Sequence, residues 1–257
     1  MHRCVRRMGE LHLEVVHDRL VRDFGLAGVT MSSVRIAYKE GVRGAAKATS
    51  EWSREMPGTG QTIASTVAVR VEPSDGGTNT LEFGSSMPAA ETLDDQVLDA
   101  INEGCADAWS RGPVSGYGMT NLKVTVLNAD LELTPINTVD AIRFATSEAI
   151  SEAASHDDAK AGIMEPVMRI EVAVSDKFVG PVLNDLTGQR RGVVLTVSGD
   201  DQPGGGPSAV VPSVGRQTVQ AEVPLKELVA YSTALRSLTQ GGGDFTMSLA
   251  RYDFVLV

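Results

Sequence analysis

Met168-Arg-Ile-Glu-Val-Ala-Val174, then Gly180-Pro181, then Val193-Val-Leu-Thr-Val197 is the stretch that decides the fold of the C-terminal part of this chain. Met168, Ile170, Val172 and Val174 alternate with polar or small residues, the period of a strand with one buried face. Gly180-Pro181 predicts a helix opening with Pro at its first position and reaching Arg190-Arg191. Val193, Leu195 and Val197 restore the strand period. A Gly- and Pro-rich loop over 200–215 separates this set from a second one. There a strand is expected over Val219–Leu225, a helix over Lys226–Gln240 capped by Gly241, and a strand over Asp244–Val255. The order βαββαβ is the ferredoxin-like arrangement, with helices on one face of a four-stranded antiparallel sheet.

The residues before this unit mix helices and strands in another order. Val34, Ile36 and Tyr38 alternate in a strand that ends at Glu40. Residues 41–60 are polar and small and read as a loop ending in the turn Pro57-Gly58-Thr59-Gly60. Val67, Val69 and Val71 give a second strand. A helix follows from about Leu93 to Ser110, with Val97, Ile101, Cys105 and Ala108 on one face. A strand is expected from Leu122 to Leu133, then the turn Thr134-Pro135-Ile136-Asn137, then a helix from about Thr138 to Ala154. At the N-terminus Leu13, Val16, Leu20 and Phe24 recur at helical spacing, and Gly25 stands where that helix should stop. A helix that begins so early, with no strand before it to pack on, reads as a cut end. Composition by itself favours a small N-terminal helix of a complete protein.

The chain has 257 residues, comfortable for two domains. Its 42% hydrophobic content is ordinary for a globular protein and too high for a disordered one. No stretch approaches the ~18 apolar residues that a membrane-spanning helix needs. The net charge is −10. Residues 33–160 hold ten basic and nineteen acidic side chains, so most of the excess lies there. Taken alone, that balance argues against a sequence-reading nucleic-acid binder, which would carry a basic patch.

The chemistry-bearing residue types form no catalytic pattern. Gly-x4-Gly-Lys-Ser/Thr, whose backbone N–H groups would cradle a nucleotide, does not occur. Gly58-Thr59-Gly60 precedes a strand, and Gly241-Gly242-Gly243 follows a helix, the wrong end for an anion. His12 and His17 are five residues apart, one too many for two zinc ligands on one helical face. Cys4 and Cys105 supply neither a disulfide framework nor a thiolate cluster, and Cys105 reads as a buried apolar residue. Asp94-Asp95, Asp157-Asp158 and Asp200-Asp201 are adjacent pairs that point apart and read as solvated charges. No catalytic, cofactor-binding or metal-binding residue is nominated.

Several stretches go further than patterns. Met8-Gly-Glu-Leu-His-Leu-Glu14, Asp18-Arg-Leu20 and Phe24-Gly25 resemble the end of the third domain of elongation factor G. Val34-Arg-Ile-Ala-Tyr-Lys-Glu40 is similar to the entry of its fourth domain, and Gly112-Pro-Val-Ser-Gly-Tyr-Gly118 resembles a turn within it. Glu165-Pro-Val-Met168, Gln189-Arg-Arg-Gly192, Val223-Pro-Leu225, Tyr231-Ser-Thr233 and Leu235-Arg-Ser-Leu-Thr-Gln-Gly241 are similar to the fifth.

The resemblance implies an α+β protein of three parts. Residues 1–32 would be the end of a ferredoxin-like domain III. Residues 33–160 would be an S5-like domain IV with a left-handed crossover, and residues 161–257 a ferredoxin-like domain V. It implies a ribosome-binding module of a translational GTPase whose GTP- and magnesium-binding domain lies outside these residues, so that the chain itself is no enzyme and holds no cofactor. Ribosome contacts would fall at Gly58, Thr59, Gly60, Gln61, Thr134, Pro135, Ile136, Asn137, Arg190 and Arg191. Translocating members carry an Arg and a Tyr in the first of these loops and a His in the second. Pro57-Gly-Thr-Gly-Gln-Thr-Ile63 and Thr134-Pro-Ile-Asn137 lack all three, which is similar to the mitochondrial ribosome-releasing branch. That branch implies ribosome disassembly with the recycling factor as partner, no membrane or DNA, and the mitochondrial matrix. The alternatives are a translocating member and a free-standing α+β interaction protein.

Overall fold

A computed structural model describes residues 19–26, 35–56, 58, 60–199 and 215–255. The chain divides into two units. One is Tyr38–Glu165 with the residues from Tyr252 onward, the other Pro166–Arg251 with the N-terminal residues as far as Ala37.

The first unit contains β1 (Lys39–Gly41), β2 (Ala46–Glu55), β3 (Thr62–Pro73), β4 (Thr80–Phe83), α1 (Asp95–Ser110), β5 (Leu122–Ala129) and α2 (Val139–Ser155). Its sheet has the order β2-β3-β5-β4. The β2–β3 and β3–β5 pairs are antiparallel, whereas β4 and β5 run parallel and are joined through α1. Parallel neighbours need such a crossover. Val67, Val69 and Val71 of β3 and Leu122, Val124 and Val126 of β5 turn inward and are fully buried. They meet two helices lined by small residues: Ala100, Gly104, Cys105 and Ala108 of α1, and Ala141, Ala145, Ala149 and Ala153 of α2. Small side chains let the helices close up. A Cβ on Gly104 would stand 2.5 Å from the Arg143 carbonyl oxygen, so only glycine fits there. Arg143 also ties α2 to α1, donating to Asp107 at 2.7 Å and lying 3.3 Å from Glu103. Asp94 and Thr138 cap the two helices, accepting from Gln96 N and Ala141 N.

The second unit takes most of β6 (Gly162–Ser175), then α3 (Asp176–Asn184), β7 (Val193–Gly199), β8 (Arg216–Pro224), α4 (Tyr231–Thr239) and β9 (Asp244–Phe254). Its strand order is β9-β6-β8-β7. With β6–β8 and β8–β7 antiparallel, this is the ferredoxin-like topology expected. Ile170, Val172, Val174, Val219, Ala221 and Val223 pack beneath Val182, Leu186, Tyr231 and Leu235. The mixed α+β architecture is therefore as read from the sequence.

Several boundaries differ. Residues 35–38 have no regular structure, and the strand ending at Glu40 shrinks to β1, which pairs with the first residues of β6. The supposed loop 41–60 contains the ten-residue strand β2. Strand β4 was not foreseen, and β5 ends at Ala129. The helix expected to open at Gly180-Pro181 begins at Asp176 and carries Pro181 inside it, followed by a wider turn over Asp185–Gln189. The helix expected over Lys226–Gln240 is split, with a tight turn at Leu225–Leu228 and Ala230 in the left-handed region at φ 59° before α4. At the N-terminus residues 19–22 are helical and Gly25 has φ 63°, as its stop position requires. Leu13, Val16, His12, His17, Cys4 and Asp200-Asp201 lie outside the described residues.

Candidate functional site

The two loops nominated in the first unit meet. Strands β2 and β3 form a hairpin in full register from Ala46↔Val71 to Glu55↔Thr62, which carries Met56, Gly58, Gly60 and Gln61 at its tip. At that tip Met56 N donates to Gln61 O at 2.8 Å. The turn after β5 is closed on itself: Thr134 N donates to Asn137 O, and Thr134 Oγ1 accepts from Asn137 N at 2.8 Å. Two bonds join turn to hairpin. Ala64 N donates to Ile136 O at 2.9 Å, and Gln61 Nε2 donates to Pro135 O at 2.8 Å. Below them Asp130 accepts from Thr66 N through its carboxylate, while its own N–H donates to Thr66 O.

The nominated residues divide by direction. Gly58, Gly60, Gln61, Thr134, Pro135 and Ile136 are exposed, and Thr59 lies outside the described residues. Asn137 points inward at 7% exposure, its Nδ2 donating to the Asp130 and Glu132 carbonyls. It builds the turn rather than presenting itself. Met56 (42% exposed), Leu133 (38%) and Ile136 (57%) put apolar surface at the same end. Met56 and Leu133 were missed by the sequence reading. Their signal was available, two large apolar residues beside turns in otherwise polar stretches.

Two family-like motifs turn out to be halves of one structure. The carboxylate of Glu40 is fully buried and accepts from Val114 N (2.7 Å), Ser115 N (2.8 Å) and Tyr117 N (2.9 Å). Residues 112–118 thus wrap around the side chain that ends the 34–40 motif. A Cβ on Gly112 would overlap that carboxylate, which explains the glycine. No substrate could reach Glu40, so its role is to hold the loop.

In the second unit Arg190 is a structural side chain. It donates to Asp185 at 2.7 Å, with 15% and 8% of the two side chains exposed, donates to the Glu227 carbonyl, and lies 4.7 Å over the Tyr231 ring. These contacts turn Arg190 inward, whereas the resemblance implied a ribosome contact there. Arg191, at φ 52°, pairs with Glu227 at 3.0 Å and is more exposed. The Tyr231 phenol is raised by burial first and by the Asp185 charge second. Burial likewise pushes the Cys105 thiol up to about 12, so it is no nucleophile. Among the described residues no group of His, Cys, Asp and Glu could hold a metal ion. None of the described helices is long and apolar enough to cross a membrane.

Residues 34–157 match the family described as Elongation factor G, domain IV, and residues 162–255 match Elongation factor G C-terminus. A crystal structure of a protein from Thermus thermophilus is similar over 96% of this chain, with 28% identity and a TM-score of 0.73. The chain spans 34% of that protein's length.

Proposed function

We propose, for a chain that belongs to the elongation factor G family through its domain IV and C-terminal domain, that it is a ribosome-binding module. Its working end is the joined tip of Met56, Gly58, Gly60 and Gln61 with residues 133–136. The observation that carries this is the coupling of the two loops by the Gln61–Pro135 and Ala64–Ile136 bonds, which makes one surface from two distant segments. GTP hydrolysis would belong to a domain other than the two matched. The tip has no Arg, Tyr or His between Gly58 and Gln61 or between Thr134 and Asn137. Those groups donate to and stack on RNA in translocating members of the family. Their absence favours ribosome disassembly with the recycling factor over translocation, and the mitochondrial matrix follows from the same branch resemblance.

Co-sedimentation of the chain with bacterial and with mitochondrial ribosomes, with and without recycling factor, tests these statements in turn. Binding to either ribosome supports the module, and no binding to either supports a free-standing interaction protein instead. Tighter binding when the recycling factor is present supports disassembly; indifference to it supports translocation. A preference for bacterial ribosomes would count against the mitochondrial assignment.

A further inference from the structure

Charge in the first unit is sorted by position. Residues 52–62 and 130–140 carry a single basic side chain, Arg54, against Glu55, Asp130, Glu132 and Asp140. Basic side chains gather elsewhere: Lys47 and Arg70 face each other across β2 and β3. They sit eight residues back along the strand from Glu55, or about 26 Å at ~3.3 Å per residue. Four main-chain donors of the tip are also engaged. Met56 N, Ala64 N, Thr134 N and Asn137 N all donate to acceptors within the tip itself. A surface that grips nucleic acid needs Lys or Arg, or free N–H groups, for the phosphates. This one offers acids and the exposed Met56, Leu133 and Ile136.

We infer that the tip docks on a protein surface, an apolar socket rimmed by Lys or Arg side chains, and not on RNA phosphates. This rests on the ribosome-binding reading above and names the partner chemistry at that site. An apolar centre with charges at its edge is the usual anatomy of a protein interface. Complementary edge charges act mainly on the rate and specificity of association.

The sign of a charge reversal separates the two chemistries. In co-sedimentation with the ribosome that binds the unaltered chain, the double variant Glu55→Lys, Glu132→Lys should bind about tenfold more weakly, and Ile136→Asp should weaken binding similarly. All three residues are exposed, so the thermal midpoint should stay within a few degrees of the parent. A photoactivatable benzophenone in place of Ile136 should crosslink to protein. Tighter binding by the double variant with a steeper salt dependence, unchanged binding by all variants, or a crosslink to RNA would each overturn the inference while leaving ribosome binding intact. Failure of the unaltered chain to bind any ribosome would remove the ribosome reading, and this inference with it.

Discussion

Residues 112–118 and residues 133–137 are both turns in the first unit, and they use their surroundings in opposite ways. The first is closed around a buried carboxylate, with three of its main-chain N–H groups facing inward on Glu40. The second is closed by its own Thr134 and Asn137 and by two bonds to the neighbouring hairpin, which leaves Ile136 57% exposed. Residues 185–192 of the second unit side with the first pattern, since Arg190 is held by Asp185, the Glu227 carbonyl and the Tyr231 ring. All three stretches were singled out by resemblance to the family. Only burial separates those that hold the protein together from the one that can meet a partner.

The largest effect should come from emptying the inward-facing turn. Glu40→Ala leaves three main-chain N–H groups without their acceptor and empties a buried position, and should cost about 3–5 kcal/mol in urea unfolding. Glu40→Gln keeps one acceptor oxygen and should cost about half as much, because a neutral acceptor is weaker. If Glu40→Ala unfolds at the parent midpoint, the turn does not depend on its carboxylate and the contrast with the tip disappears. Next, Arg190→Ala should cost about 3 kcal/mol, since it leaves the Asp185 carboxylate unpaired at 8% exposure. Arg191→Ala should cost less than about 1 kcal/mol, as expected of a partly exposed pair. Equal losses for the two arginines would erase the distinction drawn between them.

The smallest effect is one of pH. Hydrogen bonds from Arg169 and Arg251 hold the Glu222 carboxyl below its ordinary 4.5. A depressed folded-state value means that the stabilisation is fully present above about pH 4.5 and is lost as pH falls through the folded value. Glu222→Gln should therefore flatten the acid limb of the stability curve below that pH and leave its neutral part lower. An acid limb of unchanged slope would show that other carboxylates control it.

The sheet of the second unit was legible because its inward positions are Ile, Val and Ala in alternation with polar or small residues. Strand β2 escaped notice because its inward positions are Ala46, Ala48, Ser50 and Trp52, mostly too small or polar to mark a face. Strand β4 is four residues at a parallel edge, too short to show a period. Pro181 drew the start of α3 too far along, although Ser175 and Asp176 already carry a cap-like residue and a first-turn acid. Both tip loops could be named from resemblance, yet their meeting could not. It depends on a main-chain bond from Ala64 to Ile136, on one glutamine amide reaching a carbonyl, and on the unrecognised strand β2. Glu40 was hidden for the same reason: its partners are three N–H groups with no side-chain signature.

The bond from Gln61 to Pro135 spans 74 positions of sequence. At roughly 5–20 residues per second of synthesis, the second loop leaves the ribosome about 4–15 s after the first. For that interval the β2–β3 hairpin can form, but its end has nothing to fasten to. The surface assigned here to the finished module is thus among the last features of domain IV to come into being, and a nascent chain stalled before Pro135 would have the hairpin without the tip.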